Sequence, residues 1–345
     1  MATKAGKLAV PLQSALDRAD ESVVEPPRGY VGASVIAGEC ERALWYSFRW
    51  ATDIQFSGRL LQRFETGHAY ELRIIERLQA AGFEVHYQNP RARNRKGQYR
   101  GELYGGLLAG HIDGFVAGST PELELDSWHL LEIKAMASAK YAYADDTYEE
   151  PVANKHPTKH PTKAGNESKI EGRWWKCKRT GVKRAHQEHY GQMQAYMGLS
   201  HELQPSGKPF HTAWGLGAPL QRALYVAVNT DTEQIHAELV EFEPIWWHHI
   251  KRRALRIFRA TEPLKRVKES PQWPPCSFCD HLHVCHHGHP LQTNCRTCKH
   301  AELRLPGDQH TYGTRAQWLC THHKAGCGDF TACDSHTPIT EPMSF

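Results

Sequence analysis

The side chains best equipped for chemistry are an aspartate, a glutamate and a lysine. Asp113 stands between Ile112 and Gly114 in one apolar stretch, and Glu132-Ile133-Lys134 interrupts another. If both stretches are strands, side chains alternate between faces, so Glu132 and Lys134 share one face while Leu131 and Ile133 enter the opposite layer. Two carboxylates on neighbouring strands beside a lysine suit a hard divalent cation. Mg²⁺ or Mn²⁺ takes oxygen ligands and keeps several waters, so the two carboxylates with the Ile133 carbonyl would suffice. Such an ion polarises a phosphate and acidifies water, while Lys134 would orient that water or offset charge in the transition state.

A second chemistry lies in the ten cysteines, eight of which fall between Cys276 and Cys333. The chain shows no export signal, and reduced thiols in metal-like spacing argue for metal rather than disulfides. Cys276-x2-Cys279-x5-Cys285 supplies three thiolates and needs a fourth, for which Cys40 is the candidate despite lying more than two hundred residues upstream. Four thiolates suit either a [4Fe-4S] cluster or Zn²⁺, and His281, His283, His286 and His287 keep the zinc alternative open. Cys295-x2-Cys298 followed by Cys320 is spaced as a zinc ribbon, which leaves Cys327 or Cys333 as the fourth ligand. Ala332-Cys333-x2-His336 resembles the Cys-x2-His ending of small C-terminal zinc modules in phage proteins, which implies Cys333, with Cys327 as the alternative. Cys177 has no partner nearby in the sequence.

The elements that must position these groups follow from periodicity. Helices are predicted over 39–50 and 59–81, the latter from Leu61, Phe64, Leu72, Ile75 and Leu78 with Gly82 as its stop. His68 and Glu71 lie on or beside that stripe, where a carboxylate needs compensation. Strands are predicted over 107–116 and 128–135, joined as a hairpin or meander, and over 223–229 and 234–242. Further helices are expected over 185–199 and 244–259, with Trp246 and Trp247 anchoring the latter in the core. The chain is expected to divide into a flexible leader (1–28), a domain (29–290) carrying a long basic insertion (141–186), and a small module (291–345) organised by metal.

Of 345 residues, 40% are apolar and 23% charged, which excludes global disorder. No run approaches the ~20 apolar residues of a membrane span, so no membrane role and a cytoplasmic location are expected. Net charge is only +4 but unevenly placed. Residues 155–184, with a tandem Lys-His-Pro-Thr repeat, carry ten Lys/Arg against two Glu, and 251–268 carry eight against one. These blocks predict a polyanion surface, with Lys176, Lys178, Arg179, Lys183, Arg184, Lys251 and Arg252 as phosphate contacts. Trp174 and Trp175, inside the first block, could stack bases of a single strand. The chain has no phosphate-binding loop of the Gly-x4-Gly-Lys-Ser/Thr type, which argues against an ATP motor.

Four motifs in order resemble the PD-(D/E)XK nuclease superfamily, in its RecB-like branch of phage exonucleases and CRISPR-associated iron-sulfur nucleases. Glu65-Thr66-Gly67-His68-Ala69-Tyr70-Glu71 resembles the first helical motif, Gly110-His111-Ile112-Asp113-Gly114 the aspartate motif, Leu131-Glu132-Ile133-Lys134 the ExK motif, and Gln192-Met193-Gln194-Ala195-Tyr196 the Q-x-x-x-Y helix. The resemblance spans roughly residues 34–290. It implies an α/β fold, a restriction-endonuclease-like central mixed sheet flanked by helices, closed by an iron-sulfur staple through Cys40, Cys276, Cys279 and Cys285. It also implies metal binding by His68, Glu71, Asp113, Glu132 and Ile133, with Gln192 and Tyr196 orienting substrate. The implied activity is an exonuclease or end-processing deoxyribonuclease of DNA replication, recombination or repair, phage-encoded in a bacterial host cytoplasm. Its partners would be single-stranded DNA or duplex ends and a recombinase, single-strand-binding protein or helicase. The alternative is a non-catalytic DNA-binding or assembly module that keeps the nuclease fold.

Overall fold

The computed structural model describes residues 9–23, 26–90, 97–141, 181–308, 313–327 and 332–339. Most of the expected basic insertion, including Lys176, Lys178, Arg179, Trp174, Trp175, Cys177 and the tandem repeat, lies outside them.

The helices are α1 (Ala9–Glu21), α2 (Glu41–Phe48), α3 (Gly58–Ala80), α4 (Ser138–Tyr141), α5 (Val182–Ala185), α6 (Gln187–Ser200), α7 (Phe210–Ala213), α8 (Pro244–Arg259), α9 (Pro274–Ser277) and α10 (Leu282–His286). The strands are β1 (Val31–Gly32), β2 (Glu84–His86), β3 (Tyr99–Leu103), β4 (Leu108–Ile112), β5 (Gly114–Ser119), β6 (Glu124–Met136), β7 (Arg222–Asn229), β8 (Ile235–Glu241), β9 (Ala301–Arg304), β10 (Gln317–Cys320) and β11 (Ala325–Gly326). A mixed five-stranded sheet runs in the order β2-β5-β6-β7-β8, with β6 and β7 parallel and the other neighbours antiparallel. A second sheet, β1-β4-β3, stands beside it, and β11-β10-β9 forms a third. The architecture is therefore mixed α/β, with helices against the sheets.

The two faces of the main sheet have different cores. Leu131, Ile133, Leu224, Val226 and Val228 pack with Ile74 and Ile75 of α3. Leu130, Ala223, Tyr225 and Ala227 face the larger core that contains α6 and α8. α6 is buried from Tyr190 to Ser200. Its small residues admit close neighbours: a Cβ at Gly198 would run into the Trp247 ring, and one at Gly191 into Ala37. α8 begins with Pro244 in its first turn and buries Trp247, Ile250, Ala254, Ile257 and Phe258, the 3- and 4-residue spacing of one helical face.

Several expectations need correction. The 107–116 strand is two strands, because the chain leaves one sheet at Ile112 and enters the other at Gly114. Part of the expected loose leader is α1, which is tied to the start of α3: Glu21 Oε1 accepts from the Gly58 amide at 2.8 Å, and Gln62 donates to Asp20 at 2.9 Å. The stripe on α3 is only half a core face. Ile74 and Ile75 are buried, but Phe64 and Leu72 are 44% and 51% exposed. The C-terminal module is not separate from the main core, since Leu305 and Ile339 belong to it. Its anchor is polar: Arg296 lies 3.6 Å from the Trp50 ring centroid, Arg49 donates to the Arg296 carbonyl at 2.8 Å, and Asn294 donates to the Trp50 carbonyl at 2.9 Å.

Candidate active site

Asp113 occupies the joint between β4 and β5. β5 pairs with β6 only as far as Gly114 opposite Leu131, which leaves the next β6 amide on that edge without a strand partner. The Asp113 side chain takes that place: Oδ2 accepts from the Ile133 N–H at 2.9 Å. This bond fixes the carboxylate beside the Glu132-Ile133-Lys134 segment.

Glu132 and Lys134 project from the face opposite Leu131 and Ile133, as strand alternation requires. Glu132 is fully buried, and its Oε1 accepts from Lys134 Nζ. Its Oε2 is buried without a hydrogen-bond partner, which is costly for a carboxylate oxygen. Burial, with Asp113 and Glu71 nearby, pushes the Glu132 carboxyl up to about 8 despite the opposing Lys134 charge. Burial likewise raises Asp113, against the pull of Lys134, the Ile133 amide and His68. For Lys134, burial works against the charge, but Glu132, Asp113 and Glu71 outweigh it and raise its pKa.

His68 and Glu71 thus act electrostatically on the Asp113–Glu132–Lys134 group, from the helix that packs on the other sheet face. Among the described residues, no three His, Cys, Asp or Glu side chains are assembled into a group that could hold a metal ion. His68 and Glu71 reach the group through their charge. Two carboxylates still fit Mg²⁺ or Mn²⁺, which are held by one or two carboxylates plus waters. The unpartnered Glu132 Oε2 and the raised carboxyl pKa values are the features a cation would relieve.

Gln192 and Tyr196 lie in the buried stretch of α6. They are 4% and 2% exposed, and Tyr196 donates to the His111 carbonyl at 2.6 Å. Burial, then Glu132 and Asp113, hold the Tyr196 hydroxyl well above its ordinary pKa, so it stays a donor. Tyr196 thereby pins the end of β4 two residues before Asp113. Gly110 makes room for it, since a Cβ there would stand 2.5 Å from the Tyr196 hydroxyl and 2.9 Å from Ala33 Cβ. Gly110→Ala is expected to cost about 1–3 kcal/mol of stability by overpacking. A urea denaturation midpoint unchanged from wild type would refute this packing account.

Several cations of the expected basic surface are paired with acids. Lys251 pairs with Glu202 at 2.7 Å and lies over Trp247, Arg256 pairs with Glu41 at 2.6 Å, and Arg259 pairs with Asp308 at 2.7 Å. Lys183 pairs with Glu243. These cations are neutralised by acids distant in sequence, which local charge counting cannot register. Arg184 and Arg252 are exposed.

Cys40, Cys276, Cys279, Cys285 and Arg266 are among the residues that line one cavity. Burial first, then the neighbouring thiols including Cys40, raise the Cys276 and Cys279 pKa values. His281 has both ring nitrogens engaged, with Ser47 at 2.8 Å and Thr52 at 2.7 Å, so it serves structure rather than a metal. In the third sheet, Cys327 stands against Cys295, with Cys298 and Cys320 near it; burial and these thiols push it up to about 12. Cys333 is exposed and sits 3.3 Å from His323 Nε2. Cys333 thus meets a histidine whose own amide donates to Cys320 Sγ at 3.4 Å. Ala325–Gly326 pairs with β10 and brings Cys327 back beside it.

Nothing in the sequence singles out His189 or Tyr225, yet both belong to this region. Tyr225 is the β7 partner of Glu132, and its hydroxyl meets His189 Nδ1 at 2.9 Å. Only the register of β6 on β7 could have revealed them.

Among the described residues, no helix is long and apolar enough to cross a membrane. No family model and no curated protein matches the chain. Solved structures similar to it include SSO0001, at 11% identity over 81% of this chain and 96% of that one, with a TM-score of 0.35. Others are an alkaline exonuclease (LHK-Exo) from Laribacter hongkongensis, at 13% identity over 71% and 90% with a TM-score of 0.31, and LHK-Exo in complex with dAMP, at 14% over the same shares with a TM-score of 0.30. At this distance neither fold nor activity carries across from them.

Proposed function

We propose that the protein is a Mg²⁺- or Mn²⁺-dependent deoxyribonuclease of the PD-(D/E)XK type, acting on DNA ends. The observation that carries this reading is the bond from the Ile133 amide to Asp113 Oδ2 at 2.9 Å, which fixes the half-buried Asp113 carboxylate beside the segment that bears Lys134 and the buried Glu132. A divalent cation held there by Asp113 and Glu132 would supply Lewis acidity toward the phosphate and lower the pKa of water. Lys134, kept charged by its carboxylate neighbours, orients the attacking water or offsets charge on the phosphorane-like transition state. Tyr196 keeps Asp113 in place through His111. Glu71 and His68 add field rather than ligands. The first test is incubation of purified protein with end-labelled single- and double-stranded DNA and Mn²⁺. Labelled mononucleotides or short products are expected, and intact DNA after exposure to metal-loaded protein overturns the proposal.

Two accessory sites belong to the same reading. Cys40, Cys276, Cys279 and Cys285 are proposed to hold a [4Fe-4S] cluster that closes a loop of more than two hundred residues, restricting the unfolded chain. Cys295, Cys298, Cys320 and Cys327 are proposed to bind Zn²⁺. Cys327→Ser is then expected to lower zinc content well below one ion per chain, while Cys333→Ser leaves it at the wild-type level. Elemental analysis reads both, and the reverse pattern would restore Cys333 as the fourth ligand.

A further inference from the structure

We propose that His189 is a substrate-binding residue, a neutral imidazole that donates its Nε2 hydrogen to a phosphate oxygen of a DNA strand lying over Glu132 and Lys134. The identity of the ligand rests on the nuclease reading above; the state of the ring does not.

The argument starts from Tyr225. It pairs with Glu132 across the parallel β6–β7 ladder, and side chains at paired positions emerge on the same face of a sheet. Tyr225 is fully buried. Its hydroxyl has one hydrogen-bond partner among the described residues, His189 Nδ1 at 2.9 Å. A buried phenol must place its proton on an acceptor. Nδ1 is that acceptor, so the ring's own hydrogen sits on Nε2. The opposite tautomer would bury the tyrosine proton with nowhere to go.

The ring is also held in plane. His186 stacks on it with centroids 4.9 Å apart at 21°, and His186 is fixed in turn by its Nε2 lying 3.2 Å from the Lys140 carbonyl. Burial, with Lys134, His186 and Lys140 adding like charge, drives the His189 pKa down to about 2, so the ring stays neutral. Its Nε2 is neither hydrogen-bonded among the described residues nor among the buried unpartnered atoms. It therefore opens toward solvent as a donor in the field of two lysines. An oriented N–H beside ammonium groups recognises an anion, and beside a carboxylate cation site that anion is a phosphodiester oxygen.

Two measurements test this. ¹⁵N-histidine NMR, with the His189 signal assigned by its loss in His189→Asn, is expected to show the Nε2–H tautomer and an Nε2 shift on titration with thymidine 5′-monophosphate. A charged ring, the Nδ1–H tautomer or indifference to the nucleotide overturns the proposal. This readout stands even if the wild type cuts no DNA, in which case the nuclease reading alone fails. The second measurement is binding of a fluorescein-labelled oligonucleotide in Ca²⁺. His189→Ala is expected to weaken binding about tenfold or more. His189→Gln, whose amide nitrogen can occupy the Nε2 position, is expected to stay within about threefold of wild type. His189→Asn reaches only the Nδ1 position and is expected to fall with alanine. Equal binding by folded wild type and His189→Ala would remove the residue from the substrate site.

Discussion

Glu132→Gln is expected to lower DNA cleavage by about three orders of magnitude with Mn²⁺ in excess, while circular dichroism and the unfolding midpoint stay close to wild type. The glutamine keeps the shape of a fully buried side chain and can still accept from Lys134, so it removes little but the charge. That charge is what a cation needs at Oε2, which among the described residues is the one buried carboxylate atom without a partner. Glu132→Ala is expected to lose activity to the same degree, but also stability, because it strands the partly buried Lys134 ammonium beside a cavity. Lys134→Met is expected to cost about a hundredfold, since an orienting and charge-offsetting group is lost while both carboxylates remain. Turnover in Glu132→Gln within tenfold of wild type would show that hydrolysis takes place elsewhere in the protein, whereas intact DNA with metal-loaded wild type would favour the non-catalytic DNA-binding reading.

The chemistry of the site was legible because it depends on alternation. In an apolar strand, Glu132 and Lys134 must share a face whatever the rest of the chain does, and they do. Asp113 was legible as a candidate but not as a joint: Ile112 and Gly114 both read as strand, and only the transfer from one sheet to the other shows why a carboxylate is needed to cap the Ile133 amide. Features set by distant partners were not legible. Lys251, Arg256 and Arg259 look like one basic block until Glu202, Glu41 and Asp308 are seen beside them. Tyr196 sits on a helix whose pattern permits either a polar edge or full burial; the small Gly110 and Gly198 decide for burial, by letting neighbouring elements approach. The approach of Cys327 to Cys295 follows from a two-residue strand too short to predict.

Mn²⁺ affinity is expected to rise about tenfold per pH unit between pH 6 and 8 and to level off above. The reason is the Glu132 carboxyl, which burial pushes up to about 8 in the cation-free protein: below that pH a proton must leave before the oxygen can serve as a ligand. Titration calorimetry in buffers of different ionisation enthalpy should detect close to one proton released per cation at pH 6 and none well above 8. The same displacement has a signed effect on stability. Because the folded carboxyl pKa lies above its unfolded value, the folded chain binds more protons between about pH 4.5 and 8, and the cation-free protein becomes less stable as pH rises through that window. Asp113, also raised, acts in the same direction. Lys134 stays charged across the window and adds no slope. Divalent metal should therefore raise the melting temperature more at pH 8 than at pH 6, and Glu132→Gln should flatten both dependences. A wild-type affinity independent of pH over this range would mean that Glu132 is ionised without the cation, and that the ion, if bound at all, is held by other groups.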